Sequence, residues 1–69
     1  MPRDATLTRS RLQRQAERLF AERGVYQVTV REITVAAGQR NPSVVHYHFA
    51  SMDGLRQVIL DTHEAPLDT

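Results

Sequence analysis

An all-α fold, a small bundle of four short helices, follows from three features of this chain. Apolar residues recur at helical spacing near both ends, as Leu12, Ala16, Leu19 and Phe20 and then as Leu55, Val58 and Ile59. Between them lie two short segments, 29–37 and 41–49, each opening with a capping residue. Gly24, Gly38 and Pro66 fall where those helical patterns stop. With 69 residues the ceiling is one small domain. A domain of this size buries only ~60% of its unfolded surface, so its stability is marginal.

Residues 1–7 carry Pro2 and no apolar periodicity, and read as an N-terminal arm. The first helix is expected over 8–23, with its apolar stripe inward and Arg11, Arg14 and Arg18 on the far side. Gly24 ends it, and Tyr26 in the following loop is expected to pack back on the bundle. The second helix is expected over 30–37. Thr29 with Glu32 makes a Thr-x-x-Glu capping box, and Val28 with Ile33 fits a hydrophobic staple. Ile33, Ala36 and Ala37 share one face, small enough for another helix to approach closely. Gly38 accepts the positive φ of a helix C-terminus. Asn41 suits an N-cap and Pro42 a first helical residue, because proline has no N–H to leave unpaired there. The third helix, 42–49, places Val45 and Phe49 on the core side. Ser51 caps a fourth helix over 52–64, which Ala65-Pro66-Leu67 stops. The domain is therefore expected over 8–64, with 65–69 the start of something longer. Two short capped helices around a glycine turn form the helix-turn-helix, a unit that lays its second helix in the DNA major groove.

Net charge is only +1. Its distribution says more. All nine basic residues are arginine, and Arg3, Arg9, Arg11, Arg14 and Arg18 crowd the first 18 positions. A guanidinium fork suits phosphates and guanine edges; codon bias in a GC-rich genome also yields arginine without lysine, and the two explanations are compatible. Cysteine is absent, which excludes disulfides and thiolate metal sites. No apolar run approaches the ~20 residues of a membrane span. The N-terminus has no apolar signal core, so residence in the cytoplasm is the expectation.

Candidate binding residues cluster around the motif. Thr29 reads first as a cap, and a hydroxyl at an exposed helix start also suits a phosphate. Arg31 stands near the start of the second helix, either as a surface arginine or as one that reaches DNA. Gln39, Arg40, Asn41, Ser43 and Val44 occupy the turn and the start of the third helix, which approaches base edges in this motif; for Asn41, capping comes first. His46 and His48 point roughly 200° apart on a helix of ~3.6 residues per turn, so they cannot chelate one ion as an i, i+4 pair does. Phosphate contacts suit them better, and base or phosphate contact suits Tyr47; ordinary packing at a helix end is the plain alternative for all three. Ser43, His46 and Asp53 are neighbours in sequence but make no catalytic pocket. No enzyme activity, metal or cofactor is expected.

Three stretches together resemble the DNA-binding domain of the TetR family of transcriptional regulators: Ala16-x-x-Leu19-Phe20-Ala21-Glu22-x-Gly24, Thr29-Val30-Arg31-Glu32-Ile33-x-x-x-Ala37-Gly38, and Tyr47-His48-Phe49-x-Ser51-x-Asp53-x-Leu55. The resemblance runs from about Arg9 to Leu60. It implies a homeodomain-like helix-turn-helix that binds one half of a palindromic operator in double-stranded DNA. It also implies a C-terminal domain, absent from these 69 residues, that makes the homodimer and binds an inducer, so the chain reads as an N-terminal fragment. By position, Arg31, Ser43, Val44 and Tyr47 match base-facing residues. Thr29, Arg40, His46, His48 and Ser51 are the phosphate candidates. The chain departs from the family in a turn one residue longer after Gly38, in Met52 where lysine is common, and in His46 where tyrosine is usual. The leading expectation is the DNA-binding module of a repressor. The alternative is a truncated bundle that acts only in protein–protein interaction, and a steep salt dependence of DNA binding belongs to the first alone.

If Phe49 is a core residue, Phe49→Ala should cost about 3–5 kcal/mol, enough to unfold a marginal domain; circular dichroism melting with an unchanged midpoint would remove Phe49 from the core.

Overall fold

The computed structural model describes the backbone of residues 5–64 and contains four α-helices. They are α1 (Ala5–Arg23), α2 (Val30–Ala36), α3 (Ser43–Phe49) and α4 (Met52–Glu64). The first four residues of the expected arm, and all of 65–69, lie outside the described residues. The rest of that arm, residues 5–7, is the first turn of α1. Ala5 and Leu7 are strong helix formers. Leu7 is nonetheless 46% exposed, so this turn adds nothing to the apolar stripe that marks the remainder of the helix.

Each short helix begins and ends in local hydrogen bonds. At α2 the Glu32 amide donates to Thr29 Oγ1 (3.1 Å) and the Thr29 amide to Glu32 Oε1 (2.9 Å), closing the capping box. Val28 and Ile33, the staple pair, are both buried. At the far end the Gly38 amide donates to the Val35 carbonyl and the Gln39 amide to the Thr34 carbonyl, both at 3.0 Å. These are the paired bonds of a Schellman motif, and Gly38 takes the φ of +77° that the motif requires. The motif draws Ala37 out of the helix, so α2 ends one residue earlier than the pattern suggested.

At α3 the Asn41 carboxamide accepts the Ser43 amide at 3.0 Å, while Pro42 already has helical backbone angles, φ −58° and ψ −20°. Asn41 thus closes the turn ahead of the helix and Pro42 takes the N-cap position, so α3 starts at Ser43, one residue later than expected. The first turn closes through Val44 to Asn41 and Val45 to Pro42, bonds of the tighter 3₁₀ type. At α4 the Gly54 amide donates to Ser51 Oγ at 3.0 Å.

All four helices contribute to the core. Leu12, Ala16, Leu19 and Phe20 of α1 meet Ile33 and Ala37, Val45 and Phe49, and Leu55 and Ile59; Val28 joins them from the loop. Thr34 is buried too, its hydroxyl donating to the Val30 carbonyl one turn back at 2.7 Å. Among the described residues no buried side-chain nitrogen or oxygen lacks a partner.

Tyr26 departs from expectation. It is 79% exposed, because Val28 fills the loop's seat in the core. The ring instead lies under the Arg56 guanidinium, 4.8 Å from Cζ to the ring centroid. Arg56 also donates to the Val25 carbonyl, which ties this loop to α4.

Only Ala50 and Ser51 separate α3 from α4. Ala50 turns the chain at a φ of +71°, and the first turn of α4 presses against the end of α3. A Cβ built on Gly54 would stand 2.0 Å from the Phe49 carbonyl oxygen. Gly54→Ala gains about 1 kcal/mol of helix propensity. The clash is with backbone and can be relieved only by moving α4, at a typical overpacking cost of about 1–3 kcal/mol. The variant should therefore melt below the parent in a thermal scan; a higher midpoint would refute this packing.

Candidate nucleic-acid interface

Seven residues make two turns of α3, and burial of Val45 and Phe49 decides which way the others face. Ser43, His46 and Tyr47 are exposed, and Val44 and His48 are half-buried. An open cleft of about 690 Å³ runs beside this helix. Its walls are Ser43, Val44, Tyr47 and His48 of α3, the turn Gly38–Asn41, and Thr8 of α1. Tyr47 is 80% exposed, and the His48 ring meets its ring edge-on, with centroids 4.9 Å apart and planes at 89°. The cleft thus combines hydroxyls, two carboxamides, an arginine and an exposed aromatic ring.

Five of the nine candidate residues line this cleft: Arg40, Ser43, Val44, Tyr47 and His48. The remaining four do not. Arg31 is exposed on α2, where it lines a separate hollow with Arg18, Arg23, Glu32 and Val35 along the flank of α1. Thr29 is committed to its cap, although a hydroxyl oxygen has a second lone pair to offer. Ser51 is committed in the same way to the Gly54 amide. His46 is exposed, two residues round the helix from His48. Among the described residues no three histidine, cysteine, aspartate or glutamate side chains come together as metal ligands would. Thr8 was not foreseen in the cleft wall, since nothing in its neighbourhood of the sequence signals contact with residues some thirty positions away.

Charge is organised by pairing. Arg18 pairs with Glu22 at 3.3 Å, Arg23 with Glu32, and Arg56 with Asp53. Arg31 and Arg40 are exposed without an ion-pair partner among the described residues, one on each side of the glycine turn. Free guanidinium groups are the ones available to an external anion.

The carboxyl of Glu32 is held below its ordinary range, first by the hydrogen bond from the Thr29 backbone amide and next by that from the Arg23 side chain. A depressed carboxylate stabilises the fold above the unfolded-state value and loses that contribution as pH falls through the folded-state value. Glu32→Gln should therefore melt below the parent near neutral pH, and the gap should close as pH drops below about 4. A gap that stays constant through acid titration would mean the charge of Glu32 contributes nothing to stability.

A family model described as "Bacterial regulatory proteins, tetR family" matches residues 12–59. That span opens at Leu12 and closes at Ile59, the first and last residues of the buried cluster, and contains both helices of the motif. No curated protein and no solved structure matches the chain.

Proposed function

Given that the chain belongs to the TetR family of bacterial regulatory proteins, we propose that it binds one half of a palindromic operator with α3 in the major groove, as part of a repressor. The family makes the domain a DNA-binding module of a transcription regulator. The finer reading rests on one observation: the outer face of α3 exposes Ser43, His46 and Tyr47, with half-buried Val44 and His48 beside them along the cleft. A major groove about 12 Å wide admits one helix with its side chains. No described helix is long and apolar enough to cross a membrane.

In this reading Ser43, Val44 and Tyr47 face base edges. Arg40, His46, His48, Thr29 and Ser51 contact phosphates, which set orientation but carry no sequence information. Arg31 reaches the duplex from its own hollow on α2, and its fork takes the O6 and N7 of a guanine, a contact worth ~1–3 kcal/mol of discrimination. Homodimerisation through a C-terminal domain would double the half-site and raise the effective concentration of the second module.

The test begins with duplexes enriched from a randomised pool by the unaltered protein. Binding to an enriched duplex should fall steeply with salt, as expected for counterion release; binding that is weak and insensitive to salt would sink the reading. Tyr47→Ala and Arg31→Ala should each weaken the enriched duplex more than a scrambled one of equal length, and His46→Ala should weaken both by the same factor. Equal losses for Arg31→Ala would reassign Arg31 to the phosphate backbone.

A further inference from the structure

Arg9 differs from the other described arginines of α1. Arg11, Arg14 and Arg18 are exposed, whereas Arg9 is half-buried and turned toward the end of α3. Its Nη1 donates to the His48 backbone carbonyl, 39 residues along the chain. The same guanidinium lies over the Phe49 ring, with Cζ 4.3 Å from the centroid. The last carbonyls of a helix have no intrahelical donor. That of His46 receives the Ala50 amide, and that of His48 receives Arg9. A cation in this position also suits the negative end of the helix dipole. A planar fork can donate sideways to a carbonyl while stacking flat on a ring; a lysine ammonium cannot do both.

We propose that Arg9 is a positioning residue for DNA recognition, one that locks the C-terminal turn of α3 against α1 and so sets where Tyr47 and His48 meet the groove. The proposal rests on the DNA-binding reading above. Arg9 grips two consecutive residues, His48 and Phe49, and the His48 ring in turn stands edge-on to Tyr47. Contact side chains have to be held to within about 0.5 Å of their productive geometry. The fully buried anchors of α3 are Val45 and Phe49, which lie on one line along the helix, with half-buried Val44 packed beside them. Rotation about that line is restrained at the C-terminal end by the Arg9 bond. Arg9 acts through α3 and needs no contact with DNA.

Arg9→Lys and Arg9→Met separate this role from the alternatives. The first keeps the charge and the second keeps the apolar stem, and neither keeps the fork. Three measurements are made on each variant and the unaltered chain: thermal melting, amide hydrogen exchange, and affinity for the enriched and scrambled duplexes. The expected result is cooperative melting in both variants and faster exchange at Phe49 and Ala50 than in the parent, with the middle of α1 unchanged. Preference for the enriched duplex should fall about tenfold in both, the order of one misplaced base contact. If Arg9→Lys binds as the parent does while Arg9→Met weakens both duplexes equally and shows a shallower salt slope, Arg9 is a phosphate contact and the proposal fails. Retained preference in both variants, or loss of cooperative melting in both, also overturns it. An unaltered chain that enriches no sequence from the pool defeats the DNA-binding reading instead, and faster exchange at Phe49 and Ala50 in the variants would still show that Arg9 holds α3.

Discussion

The C-terminal turn of α3 is the joint on which the rest of this molecule depends. Within three residues it places the Phe49 ring in the core, the His48 carbonyl on Arg9, and the Phe49 carbonyl against the first turn of α4. Ala50 then reverses the chain at positive φ. Each of these contacts restrains the others. The glycine at position 54 lets α4 approach the Phe49 carbonyl closely, and that approach brings Leu55 into the core beside Phe49. A looser joint would leave a seven-residue helix attached to the bundle by Val45 and the half-buried Val44.

Helices as short as α2 and α3 do not persist alone in water, because nucleation costs more than two turns of hydrogen bonding return. Two devices compensate. The ends are satisfied locally, by Thr29 and Glu32, by Asn41, by Ser51, and by the paired carbonyl bonds at Gly38. The inner faces are satisfied tertiarily, by burial of Ile33, Ala37, Val45 and Phe49 against α1 and α4. Burial selects the inward face of α3, and by exclusion it selects the outward one. The exposed face of α3 is thus a by-product of the core, since Ser43, His46 and Tyr47 are exposed because Val45 and Phe49 are not.

The same logic separates the arginines. Those matched by a nearby carboxylate, Arg18, Arg23 and Arg56, are engaged in ion pairs. Arg9 is engaged by a carbonyl and a ring. Arg11 and Arg14 on the outer side of α1, and Arg31 and Arg40 beside the motif, are exposed without an ion pair among the described residues. A net charge of +1 hides this difference completely. What matters for an anionic partner is which cations are free and where they stand, and composition carries neither fact.

The order of the helices, their caps and the ten core positions on them were legible from residues within one or two turns of each other. Capping bonds span three residues and helical faces repeat every three or four, so a linear string contains them. Val28 was legible for the same reason, as half of a staple. The grip of Arg9 on α3 spans 39 residues, and no local pattern marks it. The close approach of Gly54 to the Phe49 carbonyl likewise has no local signal in the sequence. Tyr26 suggested packing against the bundle, and its ring lies exposed under the Arg56 guanidinium while Val28 is buried in the core. Arg31 and Tyr47 line two different hollows, with Thr8 joining that of Tyr47. These facts depend on how one helix lies across another, and that arrangement is set by the packing of side chains distant in sequence rather than by any neighbourhood along the chain.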